Sequence, residues 1–283
     1  VAFNRRVEMK VGTSQTSVVI SGLDITFDIT RTRKFSNNVA KFKIYGALDD
    51  TISKILKKGN SVTFSAGYED EGTGLIYVGQ ITQSIPSKNP PEKIVSLECG
   101  SIQDPKTELA SVTVSLAYKK GTNISRPINE IGTALGLSIC GLDNVSGIIL
   151  ANGYNLSGTA KDAMRYVQGI LDRNGLGMFI DNSTLKIFEK GFGDKSSAVK
   201  LTTATGLLEA PKLTDNAEGD EKVQKQLSKR VLFKSILNYR IVPNGHVDID
   251  NKSVKGIYIV DKCSYKGDNF GGAFEVSGEG IGQ

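Results

Sequence analysis

The chain of 283 residues has no tryptophan, one histidine, three cysteines and seven prolines. Each scarcity argues against a class of function. Without indole, the broadest aromatic surface for stacking a sugar ring is missing, which lowers the standing of a carbohydrate-binding module. The lone His246 sits beside the Asn244-Gly245 turn, with no serine or cysteine pattern nearby to suggest a nucleophile, so no catalytic triad is indicated. Cys99, Cys140 and Cys263 are odd in number, far apart and without paired spacing, so reduced thiols are expected rather than a disulfide scaffold or a zinc site. There is no phosphate-binding GxxxxGK[ST] loop, and Gly191-Phe192-Gly193 lacks the third glycine of a dinucleotide fingerprint. No catalytic, metal-binding or cofactor-binding residue is assigned, and no cofactor is expected. No stretch approaches the roughly 18 apolar residues that cross a bilayer, so no integral membrane segment is expected. Val1 to Arg6 lead into a strand pattern without an apolar core of signal-peptide length. On this reading the chain is made and folded in a cytoplasm.

What is abundant is glycine, 31 residues, which fits many tight turns between short strands. Hydrophobic residues at 39% and charged residues at 23% are ordinary for a globular protein, and a net charge of +5 is modest. The basic cluster Lys222, Lys225, Lys229, Arg230 and Lys234 lacks interleaved aromatics and reads as a solvated segment, not a nucleic-acid site. Glu69, Asp70 and Glu71 read as a charged hairpin tip, because the ordered alternation of a calcium loop is absent.

Period-2 alternation places strands at Val7-Met9-Val11, Leu23-Ile25-Phe27-Ile29 and Phe42-Ile44, with a short helical stretch from Leu48 to Leu56. Residues 104–195 change character. Ile128, Ile131, Ala134 and Leu135 suit one helix, ended by Gly136. Thr159 with Asp162 caps a second, with an apolar stripe through Ala160, Ala163, Met164, Val167, Ile170 and Leu171 and a stop at Gly175. A hairpin follows, turning at Asp181-Asn182-Ser183. The expected class is α+β, mainly β: two related β-barrel domains, 1–103 and 196–283, flank a small α/β domain, 104–195, with a polar mobile loop near 215–229.

The relation between the flanking domains rests on an internal echo. In the first, Gly59 opens a strand with Val62 and Phe64, followed by Gly67 and Tyr68, a second turn opens at Gly74, and Gly79 lies within the longer strand. In the second, Gly245 opens a strand with Val247 and Ile249, Gly256 opens a longer one containing Tyr258, and Gly267 follows. A final alternating strand closes each unit, Ile94 to Gly100 and Phe274 to Gly280.

These segments also resemble a known family. The run Pro243 to Ile249, then Gly256 to Asp261, Lys266-Gly267-Asp268 and Gly271-Gly272, resembles the carboxy-terminal part of phage tail baseplate hub proteins. Asn37 to Tyr45, the Lys58-Gly59 turn and Ser65-Ala66-Gly67-Tyr68 resemble that family's first barrel, while Gly153 to Gly158 and Thr205 to Pro211 fit its middle. Tyr239 departs from it, standing where many relatives carry proline. The resemblance implies two tube-like barrels per chain and a homotrimer whose pseudo-sixfold ring joins a hexameric tail tube to a threefold spike. It implies as partners a tail tube protein or tube initiator, a central spike protein and baseplate wedge components, with transient DNA passage through the channel. It places the protein in the virion tail baseplate, in a contractile tail, after assembly in the host cytoplasm. Two other functions remain open: a tail-associated cell-wall hydrolase using a carboxylate such as Asp162 or Glu189, and a glycan-binding tail module.

Overall fold

The structure, a computed structural model, describes residues 4–13, 17–35, 38–55, 57–87, 93–101, 111–214 and 230–282. The polar segment 215–229, with Lys222, Lys225 and Lys229, lies outside the described residues, as does the boundary near 103. The first β unit comprises β1 (Arg5–Gly12), β2 (Ser17–Ile20), β3 (Ile25–Thr32), β4 (Val39–Tyr45), helix α1 (Asp49–Ile55), β5 (Ser61–Tyr68), β6 (Gly72–Ser87) and β7 (Ile94–Gly100). The middle segment holds β8 (Thr113–Tyr118), α2 (Ser125–Ala134), β9 (Ser138–Cys140), β10 (Tyr154–Thr159), α3 (Ala160–Arg173), β11 (Leu176–Asp181) and β12 (Thr184–Glu189). The second β unit comprises β13 (Asp194–Leu201), β14 (Lys212–Thr214), β15 (Arg230–Ile236), β16 (Gly245–Asp250), β17 (Lys255–Asp268) and β18 (Phe274–Gly282). The fold is mainly β, and β13 straddles the position where the sequence suggested a boundary.

Both β units belong to one 13-stranded sheet, and within it they share a strand order. The first runs β3-β4-β7-β6-β5-β1; the second runs β14-β15-β18-β17-β16-β13. The outermost pair differs, since β1 is antiparallel to β5 while β13 is parallel to β16. Each unit has one long strand, β6 or β17, with an extra residue at the same place in its pairing with the strand that follows it; β6 carries a further one, Ile76, in its pairing with β5. Pairing of β6 with β7 steps from Ile81·Cys99 to Gln83·Glu98, and pairing of β17 with β18 steps from Val260·Gly280 to Lys262·Glu279. Thr82 and Asp261 are therefore equivalent bulge residues, and a bulge bends and twists the strand that carries it.

Phe64 from β5 lies over Phe27 and Phe42 of β3 and β4, with ring centroids 4.9 and 5.0 Å apart, and Tyr68 meets Phe274 of β18 at 5.2 Å. Strands at a distance in the sheet order thus pack face to face. One hydrophobic cluster spans both β units, and a second fills the middle segment.

That middle segment follows from its local signals. Thr159 Oγ1 accepts from the Asp162 backbone N–H at 3.2 Å, capping α3, whose stripe of Ala163, Met164, Val167 and Leu171 is buried. Gly175 takes φ +72°, a left-handed stop that glycine adopts without strain. The β11–β12 hairpin turns through Asn182 and Ser183, both at positive φ, as a two-residue hairpin turn requires. A parallel partner for β12, supplied by β9, completes a three-stranded sheet.

Candidate assembly interface

The two β units meet where Lys262–Asp268 of β17 pairs with Thr26–Thr32 of β3, antiparallel, Lys262 opposite Thr32 and Asp268 opposite Thr26. At this seam the first half of β17 holds β16, its second half holds β3, and β18 runs along its other side. The core face of the seam is apolar except at Arg31, the inward position that follows Ile25, Phe27 and Ile29.

Arg31 is buried and fully engaged. Its Nε and Nη2 donate to Asp181 Oδ1 at 2.9 and 2.5 Å, and Nη1 donates to the Tyr265 hydroxyl at 3.3 Å. Lys186 Nζ reaches the other Asp181 oxygen at 2.9 Å, and the Tyr265 hydroxyl donates a hydrogen bond to the Ile241 carbonyl. Burial opposes both charges, yet the Asp181 carboxylate outweighs it and holds the Arg31 guanidinium above its ordinary pKa. Burial likewise works against the Asp181 carboxylate, and Arg31 with Lys186 overcomes it, holding Asp181 below the usual range. Burial pushes the adjacent Cys263 thiol up to about 11, so it is no nucleophile.

Asp181 stands at the end of β11, so this cluster fastens the middle segment to the seam. Three further contacts join it there: Asn38 Nδ2 donates to the Ile180 carbonyl at 3.1 Å, the Val78 N–H donates to Asn182 Oδ1 at 3.0 Å, and Arg33 lies 4.9 Å over the Phe188 ring. Arg33 also pairs with the bulge residue Asp261 at 3.6 Å, where Thr82 of the first unit satisfies itself locally on the Glu98 carbonyl at 3.0 Å. The tip of one hairpin therefore plugs into the line where the two units join.

The positions singled out in the sequence fall into two groups. Val62, Phe64, Tyr68, Val247, Ile249 and Tyr258 are buried core side chains, and Gly267 sits against Phe27 and Phe274 at the seam. Gly59 is a turn residue at positive φ, Gly256 lies within β17 opposite Ile249 and also takes positive φ, Gly245 begins β16, and Gly67, Gly74 and Gly79 make close approaches, Gly74 lying beneath the ring of Tyr239. They do not converge on a single pocket. Counted from the bulges, Gly256 corresponds to Tyr77 and Tyr258 to Gly79, three residues out of step with a turn-to-turn match. The cause is length: β5 runs Ser61–Tyr68 and β16 only Gly245–Asp250, so the first hairpin turns farther from its bulge.

Asp162 is taken up by capping α3 and by Arg165 at 3.5 Å, and His246 Nδ1 donates to the Asp194 carbonyl at 2.9 Å, tying β13 to β16. Glu69 pairs with Arg6 at 2.5 Å at its hairpin tip. Among the described residues no cluster of three or more His, Cys, Asp or Glu could hold a metal, and no helix is long and apolar enough to cross a membrane. The other face of the seam is polar, with Asp28, Lys41, Lys43 and Glu98 of the first unit and Lys266 of the second around a depression that crosses it.

Comparison with known proteins follows the same architecture. A 43 kDa tail protein of prophage MuSo2 from Shewanella oneidensis matches with a TM-score of 0.64 at 9% identity, covering 98% of each chain. A tail protein from Neisseria meningitidis MC58 gives 0.64 at 10% identity over 99% of this chain and 97% of its own. The Escherichia coli c3393 protein, described as a type VI secretion system component with structural similarity to T4 bacteriophage tail proteins gp27 and gp5, gives 0.63 at 10% identity, over 97% of this chain and 76% of that one. At such identities these likenesses speak to fold. No curated protein matches the sequence. The model of the baseplate hub gp41 family, however, matches residues 6–280, and the chain therefore belongs to that family of structural phage tail baseplate proteins.

Proposed function

We propose that three copies of this chain form the hub of a contractile tail, each contributing two tube-like β units, so that six similar units face a hexameric tail tube while threefold differences face a central spike. The observation that carries this reading is the repeated six-strand order, with matching bulges at Thr82 and Asp261. Similar edges on both units can offer near-equivalent surfaces to a sixfold neighbour. The inserted middle segment, fastened at Arg31 and Asp181, marks every second junction and reduces six to three. Closed cyclic symmetry also keeps such an assembly finite. Within this reading the partners are a tube protein or tube initiator, a spike protein and wedge components, and DNA passes through the central channel during ejection.

Native mass measurement and a low-resolution image of the tail test it. Three copies arranged with threefold symmetry are expected in the assembled baseplate. One copy, or six, in the assembled tail overturns the reading, whereas a monomer seen only in dilute solution does not.

A further inference from the structure

The junction inside one chain predicts the junction between chains, an inference that rests on the trimeric reading above. Pairing registers fix which residues of the two units correspond. Through β7 and β18, Ser264, Tyr265 and Lys266 of β17 match Ile85, Pro86 and Ser87 of β6. Through β4 and β15, Asp28, Ile29 and Thr30 of β3 match Lys212, Leu213 and Thr214 of β14.

In the second unit, this half of β17 is covered by β3. In the first unit, the matching half of β6 pairs with β7 on one side and, among the described residues, with no strand on the other. Strand β14 likewise ends the sheet beyond β15. Burial records the difference. Ile29 and Tyr265, which face each other across the seam, are 0% exposed, whereas Leu213 is 46% exposed and Pro86 is also exposed. Ile85, at 51%, is a large apolar side chain left in water on the same edge.

We propose that the Ile85–Ser87 edge of β6 receives the Lys212–Thr214 edge of β14 from a second copy of this chain, antiparallel, with Pro86 opposite Leu213 and Ile85 opposite Thr214. The intrachain seam sets the register: Tyr265 faces Ile29, and Ser264 faces Thr30 with their hydroxyl oxygens 3.4 Å apart. The match is not complete. The Arg33 N–H donates to the Asp261 carbonyl at 2.8 Å, and bonds across an antiparallel pair recur every second residue, so the backbone groups of Tyr265 also point at β3. Its counterpart Pro86 has no N–H, which leaves only the Leu213 N–H to Pro86 carbonyl bond of that pair. The junction between chains is thus looser than the seam within one, and side-chain contact of Leu213 with Pro86 carries more of it.

Cysteines at Ile85 and Thr214 test this, because the facing Ser264 and Thr30 show that side chains at this pair approach closely enough for a disulfide. Tails are assembled with Ile85→Cys/Thr214→Cys chains in a Cys140→Ser background that removes the exposed native thiol. Covalent dimers and trimers on a non-reducing gel, absent from either single-cysteine variant, are expected. If the double variant impairs assembly, the two single-cysteine chains expressed together provide the same reading. Tails holding three copies without crosslinks overturn the edge pairing and leave the trimer standing; assembled tails without three copies overturn both.

Discussion

Arg31 and Asp181 form a buried ion pair that shares its hydrogen bonds with Tyr265 and Lys186, so little of either charge is left unsatisfied. Removing one member strands the other in the core. Arg31→Met or Asp181→Asn is expected to cost about 3–5 kcal/mol in denaturant unfolding. The double replacement should cost less than the sum of the two, and additive losses would show that the pair is not coupled. The sequence holds a signal for this site that the strand pattern above passed over: Arg31 continues the inward phase of Ile25, Phe27 and Ile29, and a cation in that phase needs a buried partner. Which carboxylate answers it was not legible, since Asp181 lies 150 residues away and meets Arg31 only through tertiary folding.

At the level of elements, what could be read were features with local causes. Helix α3 carries its cap at Thr159 and its stop at Gly175, and the β11–β12 hairpin declares itself through Asn182-Ser183. The parallel pairs β9·β12 and β13·β16 have no such signature, because their partners are distant in sequence and no turn links them. The bulges were also hidden: Thr82 and Asp261 interrupt nothing in the hydrophobic pattern that singles them out. Close approaches of backbone give a sharper expectation. A Cβ on Gly67 would stand 2.2 Å from the Gly72 carbonyl oxygen, whereas one on Gly158 would touch nothing nearer than Leu156 at 3.8 Å. Gly67→Ala should therefore lower the thermal midpoint, through a loss of about 1–3 kcal/mol, while Gly158→Ala leaves it nearly unchanged. Equal midpoints for the two variants would show that the β5–β6 hairpin yields freely.

For the molecule as a whole, the middle segment is held to the β sheet through a carboxylate that titrates below its ordinary range. Folded chains bind that proton less readily than unfolded ones, so the Asp181 contribution is complete above about pH 4 and fades as pH falls through the lower folded value. The difference in thermal midpoint between wild type and Asp181→Asn should accordingly be largest near neutrality and shrink in acid. A constant difference would show that the charge on Asp181 contributes nothing to docking. At this scale the sequence shows a common order of turns and strands in its first and last thirds, and the two β units share a strand order. That both units share one sheet was not legible there, since the β3·β17 pairing that joins them spans almost the whole chain.

Proline at position 86 carries a last implication. Among the described residues a single copy leaves the β6 and β14 margins without a neighbouring strand, and such a margin of sheet invites any passing extended polypeptide to attach. One missing hydrogen-bond donor on one margin, and a companion margin only three residues long, deny such strangers a sustained grip. Only a neighbour that brings matching side chains and several simultaneous contacts gains enough to stay, which favours a closed ring of kin over a growing fibre.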